Sequence, residues 1–304
     1  MSRRSTVALA PLIVTLLMAV TPLVGCGTES KPKAQAKGSE RLDCGAAVER
    51  ADGSDWTCVF ADDFEGDALD TTHWTVLSSL ASGYRNGPEC YLGDESPLGA
   101  DDVSVGDGVL RLTAQELDHQ IVCPSLSGDF PSSWTGAFVT TYGKFTTTYG
   151  RVEVRAAFPD VDVAGVHAAL WLWPQDLAYG SEVTGEMDLA EYFSQYPDRA
   201  IPFLHYQPAV ADGSNTNNEC LLDDPSAMHT YVIEWEPGHV RVLYDGKTCL
   251  DHDIAPAPPL TGSQPFDQPF TLNLTQALGV GTNAFTETTP LPAATTVDYV
   301  RVWN

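Results

Sequence analysis

The chain is predicted to be all-β, a sandwich of jelly-roll type. Six runs alternate apolar and polar residues or nearly do, the joints between them carry Gly, Pro, Asp and Asn, and no long stretch keeps a helical period or an internal repeat. Many short strands with such punctuation stack as two sheets around one core.

In chain order the first run is GVLRLTAQ at 108–115. YGRVEVRAAF at 149–158 follows, with Val152, Val154 and Ala156 on one face and Arg151, Glu153 and Arg155 on the other. Next come HTYVIEWEP at 229–237 and HVRVLYDGKTC at 239–249, the latter with a hairpin signal in YDGK at 244–247. PFTLNLTQ at 269–276 and TTVDYVRVWN at 295–304 complete the set. HAALWLWP at 167–174 also reads as a strand, with His167, Ala169, Trp171 and Trp173 facing one way and Ala168, Leu170 and Leu172 the other. Two tryptophans on one face form either sandwich core or a floor on which sugar rings stack.

The first 41 residues read differently. Arg3 and Arg4 precede an apolar run from Val7 to Val20, short for a membrane span, and LVGC follows at 23–26. This resembles a bacterial lipoprotein signal peptide over 1–25, with lipid added to Cys26; an ordinary secretory signal cleaved nearby is the alternative, and SRR at 2–4 hints at a twin-arginine signal. Residues 26–41 are polar and without apolar period, as in a flexible tether. The expected location is therefore the cell surface, lipid-anchored, or the medium after shedding, with the membrane met only through the anchor. Residues 42–304 are expected to form one domain.

The formal net charge of −25 is spread along the chain. It argues against nucleic acid and sulfate-rich polymers, which it would repel, and favours a neutral ligand. Setting Cys26 aside leaves six of the seven cysteines. An even number in an exported chain suggests disulfides, and the most local pairing joins Cys44 with Cys58, Cys90 with Cys123, and Cys220 with Cys249. None of the spacings resembles a zinc site.

GEMDLAEYF at 185–193 crowds Glu186, Asp188 and Glu191 into six positions. Local propensity favours a helix, but at about 100° per residue a helix scatters the three acids. Flanked by strand-like HAALWLWP and AIPFLHYQP, the segment reads as another strand. Glu186 and Asp188 then share a face, and Glu191 joins them only if a β-bulge inserts one residue after Asp188. Glu186 and Glu191 would stand roughly 13 Å apart along the backbone, a gap that leaning side chains could narrow toward the ~5–5.5 Å of a retaining glycosidase pair. Asp188 between them would share a proton or hydrogen bond that keeps Glu186 ionised, while the nearby negative charge keeps Glu191 protonated.

GEMDLAEYF resembles the catalytic signature of glycoside hydrolase family 16, in the bulged E-x-D-x-x-E form of laminarinase-like members. VFADDFEGDALDTTHWTV at 59–76, VSVGDGVLRLTA at 103–114, YGRVEVRAAFP at 149–159, MHTYVIEWEPGHVRVLYDG at 228–246 and VDYVRVWN at 297–304 are similar to other strands of the family, in the same order. The resemblance implies a curved jelly-roll with an open cleft and retaining hydrolysis of a β-linked polysaccharide. Glu186 would be the nucleophile, Asp188 its assistant and Glu191 the acid/base. RNGPECY at 85–91 resembles the family's Asn-Glu stretch with an inserted GP, making Asn86 and Glu89 candidate sugar contacts. Trp171 matches the floor tryptophan, and Trp173 lies beside it. His167 and Ala168 stand where many members have tryptophan and proline, and His205 resembles a histidine near the site or is an ordinary strand residue. The resemblance also implies a structural calcium held by backbone oxygens of Glu65 or Gly66 and the Asp298 carboxylate. No cofactor is otherwise expected, and a monomer is the simplest state.

Three functions are compatible with these features: endo-hydrolysis of a β-1,3-glucan, transglycosylation that remodels an envelope glycan, and carbohydrate binding without catalysis. Retention of all three carboxylates disfavours the last.

Overall fold

A computed structural model of the chain describes residues 42–304 apart from 51, 95, 100 and 181–184. The expected signal peptide, the lipidation at Cys26 and the tether lie outside the described residues. Fifteen strands follow one another: β1 (Cys58–Asp62), β2 (Thr75–Val76), β3 (Cys90–Tyr91), β4 (Val103–Gly106), β5 (Val109–Cys123), β6 (Phe130–Thr140), β7 (Gly150–Ala157), β8 (Val166–Pro174), β9 (Glu186–Phe193), β10 (Ile201–His205), β11 (His229–Glu236), β12 (His239–Tyr244), β13 (Lys247–Asp253), β14 (Phe270–Leu278) and β15 (Ala293–Trp303). One α-helical turn, α1 (Ser79–Ser82), is capped by Ser78, whose hydroxyl accepts from the Ala81 N–H.

Hydrogen bonding runs in the order β10-β9-β8-β14-β6-β5-β15-β7-β11-β12-β13. The long β5 and β6 join the two layers. Residues 109–114 of β5 lie in the layer with β15, and its later residues pair with the start of β6, whose end pairs with β14. The core fills the space between layers. Leu110, Val152, Val154, Ile233 and Val300 meet Leu170, Leu172, Met187, Leu272 and Leu274 in one buried cluster. The alternation read from the sequence is what places them there, since each strand turns its apolar side inward and its charges outward. On the outer face Arg151 pairs with Glu153 and Glu234, both at 2.6 Å.

The Asp-Gly hairpin joins β12 to β13, with Tyr244 opposite Lys247. The three disulfides are Cys44–Cys58, Cys90–Cys123 and Cys220–Cys249, as the local pairing predicted. β10 lies at the edge of the cleft-bearing layer. A strap over residues 215–221 covers it: the Leu204 N–H donates to the Asn215 carbonyl at 2.8 Å, and Phe203 bridges to Thr216. The Cys220–Cys249 bond fastens this strap to β13.

β15 carries a bulge between Val297 and Tyr299, which makes Asp298 the extra residue. Its carboxylate pairs with the Arg155 guanidinium. Asp298 was expected among the calcium ligands, and a cation there would compete with Arg155 for its carboxylate.

Gly185 enters β9 at φ 73°, and a Cβ built there would lie 2.7 Å from Pro265 Cγ. Both constraints demand glycine immediately before Glu186. Gly185→Ala is expected to cost about 1–3 kcal/mol, read as a lower midpoint in denaturant unfolding; an unchanged midpoint would show that this entry is not constrained.

Candidate active site

β9 solves the parity problem as expected. Opposite β8, Trp171 pairs with Asp188 and Leu170 with Ala190; opposite β10, Phe203 pairs with Asp188 and Ile201 with Glu191. Leu189 is therefore the extra residue of a β-bulge. Met187, Leu189, Ala190 and Tyr192 all enter the core between the layers. Glu186, Asp188 and Glu191 are left on the other face, toward the cleft.

The neighbouring strands present the cleft floor. His167, Ala169, Trp171 and Trp173 of β8 lie beside them, while Ala168, Leu170 and Leu172 enter the core. Trp171 is 8% exposed, and its indole N–H donates to Thr275 Oγ1 at 2.8 Å. Trp173 stands edge-on to it, with ring centroids 6.0 Å apart and planes at 75°. The two tryptophans thus form a corner rather than one flat floor. Trp171, Trp173, Tyr84, Phe138, Tyr142, Asn273 and Glu186 line a cleft of about 550 Å³.

Tyr84 was not singled out from the sequence, because it lies in a loop with no period to mark it. Its ring packs against Tyr91, Phe138 and Trp171 at 5.2, 5.0 and 6.2 Å. Burial, followed by the charges of Glu89, Glu186, Asp188 and Glu191, pushes its hydroxyl far above the usual tyrosine range. The phenol stays neutral and available to hydrogen-bond a sugar hydroxyl.

Asp188, Glu191 and His205 each bring a polar atom within 4.8 Å of the others'. His205 Nε2 stands 2.8 Å from Asp188 Oδ2, without the alignment of a hydrogen bond. At the other end His167 Nε2 meets Glu191 Oε1 at 3.2 Å. His205 and His167 therefore both belong to the site, each against a different acid. Among the described residues this trio is the one group of His, Cys, Asp and Glu placed to grip a metal ion, and its members are the acids and the histidine of the cleft centre.

Asn86 reaches the same centre, with Nδ2 3.4 Å from His167 Nδ1 and 2.8 Å from the Leu278 carbonyl. Glu89 does not. It is 0% exposed, accepts from the Gly87 N–H and takes a 2.7 Å hydrogen bond from the Tyr91 hydroxyl. The expectation of a sugar contact at Glu89 is overturned, because the chain turns at Gly87 and sends its side chain under the loop. Burial pushes its carboxyl up, so it acts as an internal pillar.

The ionisation of the acids also differs from expectation. Burial first, then Asp188 and Glu191, push Glu186 up to about 8, against the pull of His205. Burial, with Glu191 adding, pushes Asp188 well above the carboxylate range. Both shifts run against the ionised Glu186 that was expected, because crowded acids in a poorly solvated floor resist being charged together. The folded chain binds the Glu186 proton more tightly than the unfolded chain does. Its stabilising contribution is complete below about pH 4.5 and is lost as pH rises toward about 8. Glu186→Gln removes that dependence, so its melting temperature should exceed that of the parent by several degrees at pH 8 and converge with it near pH 4.5. Thermal melts at the two pH values check this; a gap that does not widen with pH would refute it.

A family model for Glycosyl hydrolases family 16 matches residues 96–289. The chain is 27% identical over 307 residues to "Glucan endo-1,3-beta-glucosidase A1" of Niallia circulans, covering 91% of this chain and 42% of that protein, so it spans about two fifths of that relative's length. It is 29% identical over 263 residues to "Beta-glucanase" of Rhodothermus marinus, covering 82% and 85%. The solved laminarinase from Rhodothermus marinus superposes with a TM-score of 0.66 at 27% identity, over 82% of this chain and 97% of that one. The family match spans the bulged strand, the tryptophan strand beside it and most of the sandwich that holds them, and on that evidence the chain belongs to glycosyl hydrolases family 16.

Proposed function

We propose that the protein is a retaining endo-glycosidase that cuts a neutral β-linked polysaccharide, with β-1,3-glucan of the laminarin type as substrate. The observation that carries this reading is the bulge at Leu189, which sets Glu186, Asp188 and Glu191 together on the cleft face of one strand. The names of the relatives support the β-1,3 linkage, and the net charge of −25 supports an uncharged chain over a sulfated one.

In the proposed reaction Glu186, once ionised, attacks the anomeric carbon while Glu191 gives its proton to the departing glycosidic oxygen. The positive charge developing on the sugar favours the Glu186 anion, and a protonated Asp188 has an O–H to donate to it. Glu191 then takes a proton from water, whose oxygen displaces Glu186, and two inversions give net retention. Trp171, Trp173 and Tyr84 offer aromatic faces and polar tips to the sugar rings. The reading includes export, with a lipid anchor at Cys26 or release into the medium, and action as a monomer. Three disulfides in the domain agree with an oxidising compartment.

The test is incubation with laminarin, mixed-linkage glucan and agarose, following reducing ends and product anomers. β-Anomeric oligosaccharides from laminarin are expected, with Glu186→Ala slower by about 10³-fold or more. Trp171→Ala should raise KM more than it lowers kcat, by roughly tenfold, as lost stacking predicts. Products longer than the substrate would shift the reading to transglycosylation, and cleavage of agarose alone would overturn the choice of glucan.

A further inference from the structure

The contacts of Asn86 determine where the His167 proton sits. Asn86 Nδ2 donates to the Leu278 carbonyl at 2.8 Å, and a carbonyl only accepts, so the amide's nitrogen end must face inward. The same nitrogen is 3.4 Å from His167 Nδ1. An amide nitrogen only donates, so in this contact Nδ1 accepts and carries no proton. The single proton of the neutral ring is then on Nε2, 3.2 Å from Glu191 Oε1. The ring is 8% exposed and lies against Phe193 with centroids 4.6 Å apart and planes at 30°, which leaves it little freedom to turn.

We propose that His167, with its tautomer set by Asn86, is a positioning residue that holds Glu191 as the anion required in the second half of the reaction. This rests on the retaining reaction proposed above. A fixed N–H donor on Oε1 favours the carboxylate over the acid and leaves Oε2 as the oxygen that exchanges the proton. In that half-reaction the oxygen of water bonds to the anomeric carbon, and the ester bond to Glu186 breaks with its electron pair returning to the carboxylate. The proton of water goes to Glu191 Oε2. His167 keeps its own proton throughout, so it touches no reacting atom. The same donor works against Glu191 as an acid, so the effect of His167 should differ between the two halves.

An aryl substrate, dinitrophenyl β-laminaribioside, separates them. Its leaving group departs without an acid, so the second half limits turnover. His167→Phe keeps a ring against Phe193 but has no N–H. It is expected to lower kcat about tenfold with KM falling alongside, to accumulate sugar on Glu186 detectable by mass spectrometry of quenched enzyme, and to regain turnover with azide, a nucleophile that needs no base. His167→Gln restores an N–H donor and should recover most of the rate, and Asn86→Leu, which unlocks the tautomer, should lose about threefold.

The inference is overturned if His167→Phe, folded by its melting curve, keeps the parent kcat and KM. It is equally overturned if the loss comes with no trapped sugar, no response to azide and an equally slow Gln variant, since the ring is then only packing. Should the Phe variant not fold, the Gln and Leu variants decide by the same readouts. A parent protein that turns over neither the aryl glycoside nor laminarin would remove the retaining reaction itself, a result distinguishable from a parent that is active and insensitive to His167.

Discussion

A β-strand sends residues two apart to the same face, and Glu186, Asp188 and Glu191 break that rhythm at the last step. Leu189 restores it by dropping an extra residue into the core, where a buried apolar side chain is welcome. In a regular strand without the bulge, the same spacing would carry Glu191 to the core face among Leu170, Leu172 and Met187, a costly position for a carboxylate. The apolar packing behind the strand and the chemistry in front of it are therefore one constraint. Gly185 on one side and the paired β8 and β10 on the other hold the strand in that register.

Gathering the acids has an electrostatic consequence that the sandwich must absorb. Glu186 and Asp188 share a floor of aromatic rings, and the field there favours protons over charges. The histidines divide the load: His205 stands at Asp188, and His167 stands at Glu191 with Asn86 and Leu278 behind it. Each acid therefore has a different neighbour, as is needed where chemically similar carboxyls take different roles.

Much of this was legible in the sequence, and the reasons are local. Alternation in YGRVEVRAAF and HAALWLWP fixed which residues enter the core, Asp-Gly fixed one hairpin, and the parity of E-x-D-x-x-E demanded a bulge. What could not be read depended on partners distant in the chain. Glu89 carries no local sign that it will turn beneath its own loop to meet Tyr91. Nothing around Asp298 announces Arg155, 143 residues away. Tyr84 enters the cleft from a loop, where side-chain direction follows from packing against Phe138 and Trp171 and not from a period. The upward push on Glu186 went unread for a related reason: spacing shows which charges are near, but not how little water reaches them.

The strap over β10 bears on how the molecule behaves in a crowd. An uncovered edge strand presents a row of free N–H and C=O groups that invites another chain to add a strand of its own. Here residues 215–221 take those groups, and the strap is fastened by the Cys220–Cys249 bond. One disulfide thus anchors the segment that keeps the edge of the cleft-bearing sheet closed to strand addition.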